Sequence, residues 1–233
     1  MAWRCSGASN RELVENLFQN GLIESPRVKG AMLSVDRAHF CPSPNTAYLD
    51  TPQSIGHSAT ISAPHMHASA LESLLPYLNA GSRVLDIGSG SGYLTAVLAE
   101  LVQPGGRVVG VEHIRELKEL GERNLGRSQR GRELLSDGTV EFVVGDGRRG
   151  WVDRGAPEGG KEYWDAIHVG AAAGEVHGGL VEQLRRPGRM FIPVEDTSGL
   201  DQYIWLVDKD KEGNVNKKKL YGVRYVPLTD PPR

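Results

Sequence analysis

Short apolar segments alternate with amphipathic segments through the middle of the chain, and this pattern constrains the fold more than any other feature. The apolar runs, each of a length typical of a buried strand, are residues 83–88, 107–112, 140–146, 163–170 and 188–194. The helical patterns between them are residues 92–102, 114–126 and 175–184. Strands that alternate with helices connect by right-handed crossovers into a mostly parallel sheet with helices on both faces. The sequence therefore predicts a doubly wound α/β fold.

Helical segments precede this alternation. Ser9 and Glu12 have the spacing of a capping box at the start of one helix. Ser25 followed by Pro26 is typical of the first turn of a second helix. A third helix is predicted at about residues 64–78, after a long loop rich in proline, serine and asparagine. A loop this long inside a compact domain is usually functional.

A pair of alternating segments follows the last predicted strand of the core. They flank the polar turn DKEGN and predict an antiparallel hairpin. The three consecutive lysines at 217–219 fall within this hairpin, and we expect them to lie on its solvent-exposed surface.

The composition excludes several classes of protein. The 233 residues carry a net charge of −2, so no general electrostatic field for nucleic acid is expected. Cys5 and Cys41 are too few for a disulfide framework and lack the spacing of metal ligands. The sequence has neither an apolar signal core at its start nor a run of about 18 apolar residues, so we expect no membrane insertion. These features predict a protein of a reducing compartment, the cytosol. We also expect the protein to be a monomer.

The stretch VLDIGSGSGYLT, residues 84–95, reads as a strand, a glycine turn and a helix. Gly88, Gly90 and Gly92 let the backbone pass close to a ligand at the switch point of an open α/β sheet. Glu112 ends the next predicted strand, where a carboxylate can accept hydrogen bonds from both ribose hydroxyls. The combination favours a nucleotide-type cofactor over the simpler alternative, a tight turn without a ligand.

The residues around this loop discriminate between cofactors. A dinucleotide places a pyrophosphate on the helix N-terminus, and its fingerprint is G-x-G-x-x-G rather than the G-x-G-x-G found here. Asp86 precedes the loop by two residues, where it would repel a pyrophosphate but attract an ammonium group. The loop and its acid resemble motif I of the class I S-adenosylmethionine-dependent methyltransferases. Asp146, at the end of the third strand, could accept from the adenine amino group. A nicotinamide-dependent dehydrogenase is the rival interpretation.

Six segments spread along the chain resemble those of one family. They are MAW with GAS at the start, DTPQSIGHSATISAPHMHA, LDIGSGSGYLTA, VVGDGR, DAIHVGAAA and YVPLTD. Together they resemble the protein-L-isoaspartate (D-aspartate) O-methyltransferases, from the first residues to Thr229. The segment at 51–68 and DAIHVGAAA are far more specific than the glycine loop alone.

The resemblance implies a Rossmann-like class I methyltransferase fold and a reaction. S-adenosyl-L-methionine would give its methyl group to the α-carboxylate of L-isoaspartyl residues, leaving S-adenosyl-L-homocysteine. Damaged proteins and peptides that contain such residues would be its partners, with D-aspartyl residues as further candidate acceptors. The implied cofactor-binding residues are Ala59, Thr60, Ile61, Ser62, His67, Asp86, Gly88, Ser89, Gly90, Ser91, Glu112, His113, Gly145, Asp146 and Thr229.

Two parts of the chain depart from the family pattern. The loop at 153–162 is longer than expected. The sequence stops at PLTDPPR, whereas family members of this kind carry a longer polar tail, and we expect the short tail to loosen closure over the cofactor.

Ser62, His65 and His67 lie around the start of the predicted third helix. Pro64 fits the first helical turn, and the free N–H groups and dipole there attract an anion such as an isoaspartyl carboxylate. We predict that Ser62 is catalytic and adds a hydroxyl donor to that carboxylate, with helix capping as the alternative role. The two histidines point to different faces and lack partner ligands, so no metal site is predicted. The resemblance places His67 near the cofactor, and His65 is expected to be structural.

The sequence offers no coherent pair of nucleophile and general base. A carboxylate with a pKa of about 3.5 is already ionised at neutral pH and needs no base to attack a sulfonium methyl group. We therefore expect an in-line displacement in which the protein aligns the reactants. Two further interpretations stay open: a non-catalytic S-adenosylmethionine-binding protein, and a methyltransferase of this fold with another acceptor.

We expect the whole chain, residues 1–233, to form a single domain. Residues 1–80 would supply the N-terminal helices and a lid over substrate and cofactor. Residues 81–196 would form the cofactor-binding core, and residues 197–233 the C-terminal hairpin.

Overall fold

The computed structural model describes residues 5–196, 199 and 201–230, so the initial MAW and the last three residues lie outside it. The helices are α1 (Asn10–Gln19), α2 (Pro26–Ser34), α3 (Pro64–Leu74), α4 (Tyr93–Leu101), α5 (Arg115–Leu125), α6 (Gln129–Ser136) and α7 (Gly178–Gln183). The strands are β1 (Gln53–Gly56), β2 (Ala59–Ile61), β3 (Arg83–Ile87), β4 (Arg107–Glu112), β5 (Val140–Val144), β6 (Trp164–Val169), β7 (Leu184–Glu195), β8 (Gln202–Lys209) and β9 (Val215–Val223). Within the described ranges, no helix combines the length and apolar character needed to cross a lipid bilayer.

Seven strands form one sheet in the order β5-β4-β3-β6-β7-β8-β9. The first five strands in this order, β5, β4, β3, β6 and β7, are parallel to one another. Strand β8 pairs antiparallel with β7, and β9 pairs antiparallel with β8. The predicted mostly parallel, doubly wound sheet with a C-terminal antiparallel hairpin is therefore confirmed. The strand order reverses between β3 and β6, and sheets of this kind bind ligands at the carboxyl ends of the strands beside such a reversal.

Alternate residues of the central strands face two separate apolar layers, as the period of a strand requires. Val84 of β3 faces a large layer that includes buried residues of α1 to α6. Leu85 and Ile87 face a smaller layer with Trp164 of β6 and Leu180 of α7. Both faces of the sheet are thus covered, which explains why the central strands read as nearly continuous apolar runs.

The helix starts predicted in the N-terminal part are confirmed. The Ser9 hydroxyl accepts from the Glu12 backbone N–H at 3.2 Å, and the Glu12 carboxylate accepts from the Ala8 N–H at 2.8 Å. The Ser25 hydroxyl accepts from the Arg27 N–H at 3.1 Å. These bonds satisfy N–H groups that the first helical turns leave without intrahelical partners.

Two elements were not predicted. Strands β1 and β2 form a small antiparallel hairpin inside the supposed loop, and α6 follows α5. The hairpin turn holds His57 at φ 51° and Ser58 at φ 56°, a conformation that usually requires glycine or asparagine. The usual turn signal is therefore absent from the sequence. Helix α7 is also shorter than its predicted span of 175–184, because the weak helix formers Gly178 and Gly179 open it.

Strand β9 forms one edge of the large sheet. The three lysines at 217–219 are exposed, as predicted. The Nζ atom of Lys219 lies 3.3 Å from the centroid of the Tyr203 ring on β8, so this ammonium group packs against an aromatic face.

The loop at 153–162 is fastened to the sheet at its first residue. Asp153 is buried and receives Nε–H and Nη2–H of Arg107 at 2.5 and 2.7 Å, and the Tyr163 hydroxyl at 3.2 Å. Burial alone would raise the pKa of Asp153, but the bonds with Arg107 outweigh it and hold that pKa below its usual value. Most of the remaining loop is exposed.

The ion pair between Arg107 and Asp153 predicts that the stability of the folded chain depends on pH. Because the pKa of Asp153 is lower in the folded chain, its contribution is complete above about pH 4 and is lost as the pH falls through the folded-state pKa. Asp153→Asn should lower the free energy of unfolding at pH 7 by about 1.5 kcal/mol. Urea unfolding at pH 7 and pH 3 should show a smaller deficit at pH 3. Glu119→Gln, an exposed change on α5, is the control. Equal deficits at both pH values would contradict the prediction.

Candidate active site

A cavity of about 600 Å³ opens at the carboxyl ends of β3, β4, β5 and β6. Its floor comprises the strand ends and the loops that follow them: Ile87, Gly88, Gly90, Val111, Glu112, His113, Gly145, Gly147, Gly170 and Ala171. Ile114 and Leu117, where α5 begins, form one side. Two covering segments, residues 57–60 and residues 226–230, complete the walls. A cavity of this volume suits a ligand the size of a nucleoside with an amino-acid side arm.

The glycine loop adopts backbone conformations that other residues rarely reach. Gly88, Gly90 and Gly92 have φ angles of 74°, 48° and 83°. A Cβ atom at Gly92 would also lie 3.0 Å from the Cα of Gly121 on α5. The loop therefore depends on glycine both for its turn and for close packing against the neighbouring helix.

Glu112 joins the glycine loop to the end of β4. Its Oε1 accepts from the backbone N–H groups of His113 and Ile114 at 2.8 and 3.1 Å, and its Oε2 accepts from the Gly90 N–H at 3.1 Å. The residue is buried but lines the cavity. A carboxylate has about four acceptor sites and these bonds use three, so Glu112 can still accept a hydrogen bond from a ribose hydroxyl.

The charges around the cavity favour a cofactor without phosphate. Glu112 and Asp230 both line it, and the described residues of its wall include no lysine or arginine. A pyrophosphate would therefore meet carboxylates without a compensating cationic side chain. The glycine cradle, the ribose-binding carboxylate and this charge pattern fit S-adenosylmethionine.

The structure does not bring Asp86 to the cavity. Asp86 faces the large apolar layer, where its Oδ2 accepts from the Thr95 hydroxyl at 2.5 Å and its Oδ1 lies 2.8 Å from Nδ1 of His168. Both oxygens are thus engaged by protein groups. This placement does not support a direct attraction of the cofactor ammonium by Asp86.

Asp146 is likewise engaged by a neighbouring side chain. Its carboxylate accepts from Nε–H and Nη2–H of Arg148 at 2.8 and 2.9 Å, and these bonds lower the pKa of Asp146. Arg148 also contacts Asp230 in the covering segment. The flanking residues Gly145 and Gly147 line the cavity, whereas the Asp146 carboxylate does not.

The covering segment at 226–230 is held in two ways. Its first part is bound by backbone hydrogen bonds, from Ala172 N–H to Val226 and from Leu228 N–H to Ala172, at 2.8 and 2.7 Å. The carbonyl of Thr229 lies 2.9 Å from Nδ1 of His113. His113 and Thr229, both predicted cofactor residues, thus meet across the rim of the cavity.

Ser62 lies between β2 and α3, next to the cavity wall at Thr60. The structure corrects the capping alternative, because the N-cap of α3 is Ala63 and no side-chain capping bond is formed. Burial raises the pKa of the half-buried Tyr225, and the nearby Ser62 hydroxyl offsets part of this rise. The Ser62 carbonyl accepts from Nη2 of Arg37 at 2.8 Å.

The N-terminus of α3 is not free to bind an anion through its backbone, and this corrects a second expectation. Oδ1 of the buried Asp50 accepts from the His65 N–H at 2.9 Å and lies 2.9 Å from His65 Nδ1. Pro64 has no N–H. The donors of the first turn are therefore used internally, and His65 has the structural role expected of it.

His67 is buried beside the cavity rather than in its wall. Its Nδ1 lies 3.3 Å from Nη1 of Arg37, and its ring centroid lies 5.1 Å from that of Tyr93. Burial lowers the pKa of His67 well below its usual range, so its ring is neutral at pH 7 and can accept from Arg37.

The predicted site residues thus divide into two groups. Those that line the cavity are Ala59, Thr60, Gly88, Gly90, Glu112, His113, Gly145 and Thr229. Those that lie next to it without lining it are Ile61, Ser62, His67, Asp86, Ser89, Ser91 and Asp146. His57, Ser58 and Ala171 also line the cavity but were not predicted. A recognised hairpin would have indicated the first two, and Ala171 lies in the quoted segment DAIHVGAAA.

A metal site was not predicted, and the described part of the chain contains no group of three or more His, Cys, Asp or Glu side chains arranged to hold a metal ion. Cys5 and Cys41 are buried thiols.

Comparison with known proteins gives consistent results. The family model described as protein-L-isoaspartate(D-aspartate) O-methyltransferase matches residues 8–232. A Caenorhabditis elegans protein-L-isoaspartate O-methyltransferase is 47% identical over 229 residues, covering 98% of this chain and 96% of its own length. The Triticum aestivum protein of the same name is 49% identical over 220 residues, covering 94% and 91%.

A solved structure from Plasmodium falciparum supports the same relationship. It is described as a protein-L-isoaspartate O-methyltransferase in complex with S-adenosyl-L-homocysteine. It superposes with a TM-score of 0.84 at 33% identity and covers 95% of this chain and 98% of its own.

Proposed function

Because this chain belongs to the protein-L-isoaspartate(D-aspartate) O-methyltransferase family, we propose that it methylates the α-carboxylate of L-isoaspartyl residues in damaged proteins, with S-adenosylmethionine as donor. The observation that carries the proposal is the cavity itself. It lies at the switch point of the sheet, is cradled by glycines and holds Glu112 where a ribose would bind. Esterification of the carboxylate would initiate repair of the damaged residue.

The cofactor would be held by the residues that line the cavity. Glu112 would accept from a ribose hydroxyl, and the backbone at Gly88 and Gly90 would pass close to the amino-acid arm. His113, Gly145 and Thr229 would enclose the nucleoside. When bound, S-adenosylmethionine supplies a methyl group activated by the adjacent sulfonium.

The chain's own contribution to the reaction is alignment. The isoaspartyl carboxylate is ionised at neutral pH, so no side chain has to remove a proton. Ser62 would donate its hydroxyl hydrogen to one carboxylate oxygen and orient the other toward the methyl group. Residues 57–60 and 226–230 cover the cavity and would exclude water. Alignment and water exclusion of this kind can supply up to roughly 7–11 kcal/mol.

Several finer features belong to the same proposal. The chain would act as a single domain and as a monomer in the cytosol, with neither nucleic acid nor membrane as a partner. D-aspartyl residues would be a second class of acceptor, since the family description includes them. Sedimentation of the purified protein tests the monomeric state. An assay with a D-aspartyl peptide tests the second class of acceptor.

The defining experiment compares two peptides that differ in one linkage. With a labelled methyl donor, we expect label to enter an isoaspartyl peptide as a base-labile ester and not to enter its normal aspartyl twin. The reason is that only the isoaspartyl linkage presents a free α-carboxylate at this position. Scintillation counting before and after mild base measures the ester. Equal labelling of both peptides would refute the substrate assignment.

A calorimetric titration separates the remaining alternatives. S-adenosylhomocysteine should bind, and a nicotinamide dinucleotide should not, because the cavity wall lacks a cationic side chain for a pyrophosphate. Binding of S-adenosylhomocysteine without transfer to the isoaspartyl peptide would instead indicate a non-catalytic binding protein.

A further inference from the structure

Arg37 is fully buried in the layer behind Ser62. Its hydrogen-bond partners are two backbone carbonyls and an imidazole rather than a carboxylate. Nε donates to the Ala47 carbonyl at 3.1 Å, Nη2 donates to the Ser62 carbonyl at 2.8 Å, and Nη1 lies 3.3 Å from Nδ1 of His67. One side chain therefore joins the loop before β1, the β2–α3 junction and the first turn of α3.

This arrangement is costly for a cation. Burial lowers the pKa of Arg37, and the desolvation of a guanidinium is normally offset by a hydrogen-bonded carboxylate. The buried Asp50 influences it only through space, because Oδ1 of Asp50 is bonded to His65 and its Oδ2 has no partner among the described residues. The two carbonyls, the imidazole and the Tyr93 ring, whose centroid lies 5.2 Å from Cζ of Arg37, offset part of that cost, but stability alone does not require one side chain to reach three separate segments.

The directions of its hydrogen bonds explain why an arginine occupies this position. The planar guanidinium offers donors in fixed directions, and each reaches a different segment. Ser62 has no helix-capping bond and lies at a junction between a three-residue strand and a helix, so its backbone has few other restraints. The bond from Arg37 fixes the Ser62 carbonyl and thereby the direction of the Cα–Cβ bond that carries the hydroxyl.

We infer that Arg37 is a positioning residue, which acts through the Ser62 backbone to hold the Ser62 hydroxyl against the carboxylate of the methyl acceptor. This inference rests on the proposed function. Arg37 does not line the cofactor cavity, so its effect should fall on turnover and leave cofactor binding almost unchanged.

The test uses Arg37→Lys and Arg37→Gln in the full chain. Lysine keeps the charge but cannot reach three acceptors, and glutamine keeps an amide donor without the charge. For both variants we expect kcat with an isoaspartyl peptide to fall about 5- to 10-fold at saturating S-adenosylmethionine. S-adenosylhomocysteine affinity should stay within about twofold of wild type.

The control is Arg107→Lys. Arg107 also donates to several acceptors, Gly138, Glu141 and Asp153. It lies at the start of β4, whereas the cavity lies at the carboxyl ends of the strands. This variant should lose stability and keep the kcat of wild type. Circular dichroism and the cofactor titration establish that each variant is folded at the assay temperature.

A double-mutant cycle distinguishes positioning from general stability. If Arg37 acts through Ser62, Arg37→Lys should lower kcat by less than about twofold in a Ser62→Ala background. The same fold loss in both backgrounds, or wild-type kcat in folded Arg37→Lys, would overturn the inference. Wild-type turnover of the isoaspartyl peptide reports on the proposed function alone. An inactive wild type would refute that function, and the inference with it.

Discussion

Replacing Glu112 with alanine should weaken S-adenosylhomocysteine binding by roughly 10- to 150-fold, which corresponds to about 1.5–3 kcal/mol. The variant would lose the hydrogen bond between the Glu112 carboxylate and a ribose hydroxyl. It would also free the N–H groups of Gly90, His113 and Ile114, which the carboxylate holds at 3.1, 2.8 and 3.1 Å. The cavity should therefore lose both a ligand contact and the fixed shape of two loops. Isothermal titration calorimetry measures the affinity.

Two variants separate these contributions. Glu112→Gln keeps one carbonyl acceptor for the loops and removes the charge, so its affinity should lie between wild type and Glu112→Ala. Glu141→Ala, on the neighbouring strand β5, removes a carboxylate that pairs with Arg107 outside the cavity, and it should bind as wild type does. An affinity for Glu112→Ala within about twofold of wild type would remove Glu112 from the site.

Ser62→Ala should lower turnover of an isoaspartyl peptide by at least ~10-fold, equivalent to ~1.4 kcal/mol of transition-state stabilisation. Misalignment of a near-attack geometry can cost ~100-fold, which sets the upper range. The backbone donors of the first α3 turn cannot compensate, since the His65 N–H is bound to Asp50 and Pro64 has none. Steady-state kinetics at saturating cofactor, with binding measured separately, test the expectation.

Loss of a helix cap would not explain such a fall in turnover. Ser62 makes no capping bond to α3, so the variant should not show the ~0.5–2 kcal/mol destabilisation typical of a lost helix cap. Ser69→Ala is the matched control, because Ser69 lies on α3, the helix that follows Ser62, and bonds to Tyr221. Wild-type turnover in folded, cofactor-saturated Ser62→Ala would show that its hydroxyl has no part in catalysis.

The sheet could be predicted because its information is local. Each central strand is an apolar run bounded by glycine or polar residues, and each crossover helix has its own amphipathic pattern. The β1–β2 hairpin could not be predicted, because its turn places His57 and Ser58 at positive φ without a glycine. Its two strands of four and three residues are also too short for a clear alternation.

The candidate site was predictable only in part, for a similar reason. Glu112 and the glycine loop were predicted because their positions follow directly from strand ends. Asp86 has the same sequence signature, yet its oxygens are bonded to Thr95 and to His168, which is 82 residues away along the chain. Arg148, two residues along the chain, also binds Asp146. Whether another side chain occupies a carboxylate in this way depends on packing, which spacing alone does not determine.

The open edge of β9 matters for a protein that would meet partly unfolded clients. Partly unfolded chains have backbone N–H and C=O groups without partners. They can pair with an exposed edge strand, extend the sheet and begin aggregation. Lys217, Lys218 and Lys219 place consecutive positive charges along this edge. A client strand docking there would have to strip water from these ammonium groups. Because this desolvation is unfavourable, a damaged chain could bind, react and dissociate without pairing with β9.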